Sequence, residues 1–220
     1  MTSTGVVFRP QSAPEELRGV VEAAEQAGIA ELWLWEDCFL EGGLTTAAAA
    51  LAWSSRITVG IGLLPVPFRN PALAAMELAT LARMFPRRFT VALGHGVQDW
   101  MRQVGAAVDS PLTLLREHTS VVRALLAGDE VDVRGRYVSL DKVQLDWPAP
   151  YPPRLLVGAR GPKTIALAGE FADGVLLDSV TDPDVVRRAR QLVGPDAHVA
   201  AYTPIEPKNC DAVSNSGASS

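Results

Sequence analysis

Short β-rich runs separated by stretches of helical period recur along most of the chain, and this alternation constrains the fold more than any other feature. Two parallel strands can be joined only by a crossover, and a helix is the usual crossover, so strand–helix alternation predicts a parallel sheet covered by helices. Gly5 to Phe8 reads as a first strand. The helix after Pro14 carries Leu17, Val20, Val21 and Ala24 on one face and stops at Gly28. "ELWLW", Glu31 to Trp35, is a second strand, followed by an alanine-rich helix from Thr45 to Trp53 and a third strand, "ITVGIGLLP", from Ile57 to Pro65. Asn70 as N-cap and Pro71 at the first helical position open a helix that runs to Met84. "RFTVALGHG" supplies a fourth strand ending on Gly94-His95-Gly96, and after a loop Ser110-Pro111 starts a helix terminated by Gly128. Glu130 to Leu145 alternates in polarity around Gly135 and predicts an inserted β-hairpin. Leu155 to Val157, Gly174 to Leu177 and His198 to Ala201 complete seven strands, with helices over Pro162 to Glu170 and Pro183 to Val193 between them.

Seven strands with intervening helices predict an α/β fold of the TIM (β/α)8-barrel type lacking its last βα unit, with a small β-hairpin insertion. An open doubly wound sheet is the other way to arrange them. At 220 residues, 48% of them hydrophobic and 20% charged, the chain suffices for one sizeable core. A single barrel domain is expected over 1–206. The polar, aperiodic stretch 207–220 reads as a disordered tail. Net charge is −5, and the basic residues are dispersed along helices, which argues against nucleic acid or an acidic membrane surface as partner. The start "MTSTGVVFRP" lacks a basic region followed by an apolar run, and no later segment reaches the roughly 18 apolar residues of a membrane span, so a cytoplasmic protein is expected. Cys38 and Cys210 have no metal-type spacing, and no metal site is expected.

Ligand sites in parallel α/β folds collect at the C-terminal ends of the strands, where loops are free to vary. Those ends read Glu36-Asp37, Gly60 to Pro65, Gly94-His95-Gly96, Gly158 to Pro162 and Asp178-Ser179. Gly158-Ala159-Arg160-Gly161 precedes a helix start, whose unpaired N–H groups and partial positive charge suit a phosphate, and Arg160 and Lys163 add charge-assisted hydrogen bonds. A tight turn with two solvated cations explains the same residues. His95, between two glycines at a strand end, suits contact with a ligand or proton transfer; satisfying nearby backbone groups is the structural alternative. Glu36 and Asp37 are adjacent, so they face different directions and do not form a ready acid/base pair. His118 lies in an amphipathic helix and is expected at a surface or interface, and His198 is expected to be structural.

The runs "VGARGPKTIALAGEFADGVLL", "ITVGIGLLPVPFRNPALAAMELATLARMF", "RFTVALGHGVQDWMRQVG" and "PLTLLREHTSVVRALLAGDEV" resemble, in this order, the luciferase-like monooxygenase superfamily. Within it they are similar to the reductases and dehydrogenases that depend on the deazaflavin coenzyme F420. The resemblance implies a TIM-type barrel, often dimeric, with a flavin-like cofactor at the C-terminal mouth and its phosphate on Gly158, Ala159, Arg160 and Gly161. It also implies a bulge with a non-prolyl cis peptide near Gly62-Leu63 behind the ring; Gly94, Gly96 and Asp178, at strand ends, are further cofactor-binding candidates, and a helix-cap region before Pro183 explains Asp178 equally. Relatives often have an acidic residue followed by histidine after the second strand; Glu36-Asp37 departs from that pattern and leaves Asp37, with His95, as the catalytic candidates. Some sugar-phosphate dehydrogenases of the family carry glutamate where this chain has Val97, which disfavours that substrate class. The implied activity is hydride transfer between coenzyme F420 and a small organic substrate in a homodimer. An FMN-dependent monooxygenase is the near alternative, and a non-catalytic barrel acting as a binding module is the distant one.

Overall fold

The computed structural model describes residues 3–178, 180 and 182–203. The expected tail at 207–220, Cys210 and Ser179 lie outside the described residues. Seven strands form one curled parallel sheet: β1 (Gly5–Phe8), β2 (Glu31–Leu34), β3 (Thr58–Pro65), β4 (Phe89–Gly94), then, after a separate antiparallel hairpin of β5 (Val131–Arg134) and β6 (Ser139–Val143), β7 (Arg154–Ala159), β8 (Gly174–Leu177) and β9 (His198–Ala201). Each pairs with the next in sequence, in the order β1-β2-β3-β4-β7-β8-β9. That sequential order is the winding of a barrel and rules out the doubly wound alternative, whose strand order reverses at a switch point.

The crossovers are α1 (Leu17–Gln26), α2 (Gly43–Trp53), α3 (Pro71–Met84), α5 (Pro111–Ala127), α6 (Pro162–Phe171) and α7 (Pro183–Val193). Asn70 Oδ1 accepts from Ala72 N at 2.9 Å, the predicted cap of α3, and Gly128 adopts φ +92° to end α5. One further helix, α4 (Gln98–Gln103), occupies what the sequence suggests is loop. Six residues are too few to display a helical period.

Alternation along each strand sorts the sheet into two faces. Leu32, Leu34, Val59, Ile61, Val91, Leu93, Val157 and Leu177 point to the helices and form the main core. The intervening residues Trp33, Ala92, Leu156 and Leu176 form a second, smaller cluster on the concave face, with Val7, Leu63, Ala200 and Tyr202 against it. Between β1 and β9, the outer strands of the sheet among the described residues, a cleft of about 1290 Å³ reaches this concave face, lined by Trp33, Trp35, Leu176 and Tyr202.

Two carboxylates fasten the connections. Glu25, at the end of α1, accepts from Ser55 N and Oγ, Arg56 N and Ile57 N at 2.8–3.2 Å, and these donors hold its pKa down to about 2. Glu117 on α5 accepts from Arg136 N, Tyr137 N and Val138 N at 2.8–3.0 Å, which lowers its pKa and rivets the hairpin turn to the helix. A Cβ at Gly135 would meet that carboxylate at 2.6 Å, so a side chain there would push Glu117 off the turn.

Candidate functional site at the C-terminal mouth of the sheet

Continuing the alternation beyond the concave cluster puts Trp35, Gly62, Gly94, Gly158, Asp178 and Tyr202 in the next layer toward the C-terminal ends. Three of these six positions have no side chain. The cause lies in β3, whose register against β4 runs Gly62↔Ala92 and then Leu64↔Leu93, leaving Leu63 as the extra residue of a bulge. The Gly62–Leu63 peptide is cis, as the resemblance implies. The Leu63 side chain turns inward and lies over Gly94 and Gly158; a Cβ at Gly158 would come within 2.5 Å of it, and one at Gly94 closer still. Tyr202 completes the layer, its Oη donating to Gly62 O at 3.1 Å and its ring 5.3 Å from that of Trp35. Burial, and to a smaller degree Asp178, pushes the Tyr202 phenol far up, so it stays protonated.

The loop after β2 separates its two carboxylates, as adjacency requires. Glu36 is buried and points to the helices, taking Arg69 Nη1 at 2.6 Å, Arg69 Nη2 at 2.9 Å and Gly43 N at 2.8 Å. Its work is to anchor the loop. Asp37 is half-buried, and burial first and the charge of Asp178 second raise its pKa. Cys38 beside it has its thiol pushed up by burial, Glu36 and Asp37. Glu41 ends the loop as a buried carboxyl with no hydrogen-bond partner for either oxygen among the described residues, and burial raises its pKa.

Across the mouth, Gly161 is the N-cap of α6 and offers no side chain to its first N–H groups, with Pro162 at the first position. A Cβ at Gly161 would meet nothing within 4 Å, so this helix start is open. Arg160 and Lys163 flank it, both exposed, and Arg160 pairs with Asp178 through Nη2 and through Nε at 3.1 Å. Ala159 is buried in the helix-side core, so only its backbone reaches the mouth. His95 is half-buried and directed at α6, with Nε2 3.3 Å from Thr164 Oγ1; burial lowers its pKa and keeps it neutral. Gly96 takes φ +67° in the turn after β4, packed on Met101 and Pro65. Thus Asp37, Gly62, Leu63, Gly94, Gly158, Arg160 and Asp178 gather at one mouth, while His95 and Ala159 face the helix side.

His118 overturns its expectation. It is 1% exposed, and its Nε2–H donates to Arg69 O at 3.2 Å. Burial drives its pKa down to about 4. The apolar stripe of α5 has a polar member because the carbonyl of Arg69, opposite it, needs a donor.

A family model described as luciferase-like monooxygenase matches residues 2–204. The chain belongs to the luciferase-like monooxygenase family. Among its relatives, the 5,10-methylenetetrahydromethanopterin reductase of Methanolobus tindarius is 27% identical over 188 residues, covering 86% of this chain and 57% of the relative. The F420-dependent glucose-6-phosphate dehydrogenase of Microbacterium testaceum is 29% identical over 190 residues, covering 80% and 56%. The chain therefore spans about half the length of the relatives it matches. In fold it is similar to the coenzyme F420-dependent tetrahydromethanopterin reductase of Methanopyrus kandleri, with a TM-score of 0.79 and 24% identity over 91% of this chain and 65% of that one. Among the described residues no helix is long and apolar enough to cross a membrane, and no group of three or more His, Cys, Asp or Glu is arranged to hold a metal.

Two contributors to this luciferase-like mouth escaped the sequence reading. Tyr202 lies two residues beyond Ala200, so the period of β9 already assigns it to the concave face. Arg69 carries no such signal, because only the tertiary fold brings it to Glu36.

Proposed function

We propose that this luciferase-like chain works as an oxidoreductase that binds coenzyme F420 at the mouth of the sheet and passes a hydride between it and a small organic substrate. The observation that carries the reading is the conjunction at one mouth of an uncapped helix start flanked by Arg160 and Lys163 and an apolar floor made by the Gly62–Leu63 bulge, whose Leu63 side chain packs down over Gly94 and Gly158. The first suits a phosphate and the second a flat ring, so the residues present fit a phosphate-bearing deazaflavin. Relatives named for dependence on F420 support that coenzyme, while the fold is shared with an FMN-bound monooxygenase as well.

When bound, the deazaflavin supplies a carbon that accepts or donates hydride. The chain's own residues bind and orient. Gly161, Arg160 and Lys163 would hold the phosphate; the Gly62–Leu63 bulge, with Gly94 and Gly158, would back the ring. Leu63, Trp35 and Tyr202 would give the ring an apolar neighbourhood on the concave side. Asp37, whose pKa is raised by burial first and the Asp178 charge second, would be the group that moves the proton balancing hydride transfer at a substrate oxygen or nitrogen.

Titration of the purified chain with F420 and with FMN tests the reading. Saturable F420 binding that weakens at least about tenfold in Arg160→Ala and Gly161→Asp is expected, since a charge-assisted contact contributes roughly 1.5–3 kcal/mol. Tight FMN binding with no F420 binding would transfer the assignment to a flavin monooxygenase. Unchanged affinity in both variants would remove the phosphate loop.

A further inference from the structure

Just past β9, one side chain reaches across the concave face to β3. Tyr202 Oη donates to Gly62 O at 3.1 Å, joining residues 140 positions apart in the chain. Gly62 is where β3 has least support from its neighbours. Pairing with β2 ends one residue earlier, at Leu34↔Ile61, and the register with β4 breaks immediately afterwards, at the bulge that puts Leu63 over Gly94 and Gly158. We propose that Tyr202 is a positioning residue whose hydroxyl fixes the Gly62 end of this bulge and thereby sets where the ring of the cofactor rests. The inference rests on the F420 reading given above.

The phenol is held as a strut. Tyr202 N donates to Leu177 O at 2.9 Å and Val180 N donates to Tyr202 O at 2.8 Å, so its backbone is tied on both sides. Its ring stands edge-on to Trp33, with centroids 5.9 Å apart, and tilted against Trp35 at 5.3 Å, so two indoles limit its rotation. Burial keeps the hydroxyl protonated, and Oη is a donor at every pH at which the fold is used. The steric fit is equally specific. A Cβ at Gly62 would collide with the Tyr202 hydroxyl and with Leu176, so the hydroxyl has its place because residue 62 carries no side chain. Contact therefore runs from the two indoles through Tyr202 to the Gly62 carbonyl, and from there along one peptide to Leu63. Removing the hydroxyl takes this partner from a part-buried carbonyl and lets the bulge shift, and Leu63 moves with it. Tyr202 acts on the ring only through that bulge.

The test compares the full chain with Tyr202→Phe, which keeps the ring and its contacts with Trp33 and Trp35 and removes Oη alone. NMR resonances of the Gly62 carbonyl carbon and the Leu63 methyls report the bulge with no cofactor present. Titration with F420, followed by the fluorescence and visible absorption of the coenzyme, reports the ring. Expected in Tyr202→Phe are shifts at both Gly62 and Leu63, F420 binding weaker by about three- to tenfold, as the loss of one hydrogen bond implies, and a displaced absorption band of the bound coenzyme. A role confined to stability would lower Tm yet leave the Leu63 methyls, the affinity and the band unmoved at a temperature well below both midpoints, and that result overturns the proposal. Shifted Leu63 methyls with unchanged F420 affinity and spectrum also overturn it, and leave the F420 reading standing. Failure of the parent to bind F420 overturns that reading and the ring positioning with it, while the Leu63 methyls still decide separately whether Tyr202 holds the bulge.

Discussion

Replacing Glu36 with glutamine tests whether the loop that carries Asp37 is held by a buried ion pair. Glu36 is 8% and the Arg69 side chain 18% exposed, and the two make a bidentate contact at 2.6 and 2.9 Å while Gly43 N adds a third donor at 2.8 Å. The neutral amide keeps the shape but can accept through one atom only, and its NH2 faces a guanidinium. Breaking a buried pair on one side costs about 3–5 kcal/mol, because the remaining charge stays buried without its partner. Arg69 retains Glu77 at 3.4 Å, which argues for the lower end, about 3 kcal/mol. At roughly 2–4 °C per kcal/mol for a domain of this size, Tm should fall by about 6–12 °C. Urea unfolding at pH 7 measures the loss directly. The double variant Glu36→Met with Arg69→Met should recover most of it, since matched apolar residues remove both charges together. A loss below about 1 kcal/mol in Glu36→Gln would refute the anchoring argument.

The pH dependence of stability should fall in two successive windows that meet near pH 4. His118 has its folded pKa lowered to about 4, so its contribution is complete above its ordinary value of 6.5 and is lost as pH falls toward 4, by about 3 kcal/mol; His118→Phe should lack that slope in urea unfolding between pH 7 and 4. Glu25 is lowered from 4.5 to about 2, so its contribution persists above 4.5 and disappears between there and 2; Glu25→Gln should be less stable than the parent at pH 7, by about 1 kcal/mol once solvent screening is allowed for, and should approach it near pH 2. Glu117→Ala strips the acceptor from three backbone N–H groups of the hairpin turn, and hydrogen exchange at Arg136, Tyr137 and Val138 should accelerate at least about tenfold while exchange in β4 and β7 stays unchanged.

The strand–helix rhythm was legible because period and punctuation are local properties. Asn70-Pro71, Gly128, and the β1, β8, α7 and β9 boundaries all follow from residues within one turn of the event they mark. Side-chain partnership was not legible, because it is set by distance across the sheet. His118 reads as one polar residue on a helix beside Arg116 and Glu117, and nothing local announces that the Arg69 carbonyl sits opposite it. Glu36 and Asp37 were separable by alternation into an outer and an inner carboxylate, yet only the fold supplied Arg69 to the first and Asp178 to the second.

The glycines of the mouth show how the two kinds of information combine. Gly94 and Gly158 can each be read singly as strand-end glycines that allow close approach, and that reading suggests a ligand. In the fold, the group approaching both is the side chain of Leu63, brought there by the one-residue bulge of β3. A residue on a third strand therefore explains two glycines 64 positions apart, and the absence of a side chain there is no longer independent evidence for a ligand. Gly62 differs, since a Cβ there would meet Tyr202 and Leu176 rather than Leu63. Gly161 differs again: nothing in the fold lies within 4 Å of where its Cβ would be, so sterics do not require glycine. What glycine leaves there is an uncapped helix start between two exposed cations, and this makes Gly161 the position whose identity argues most directly for a bound anion.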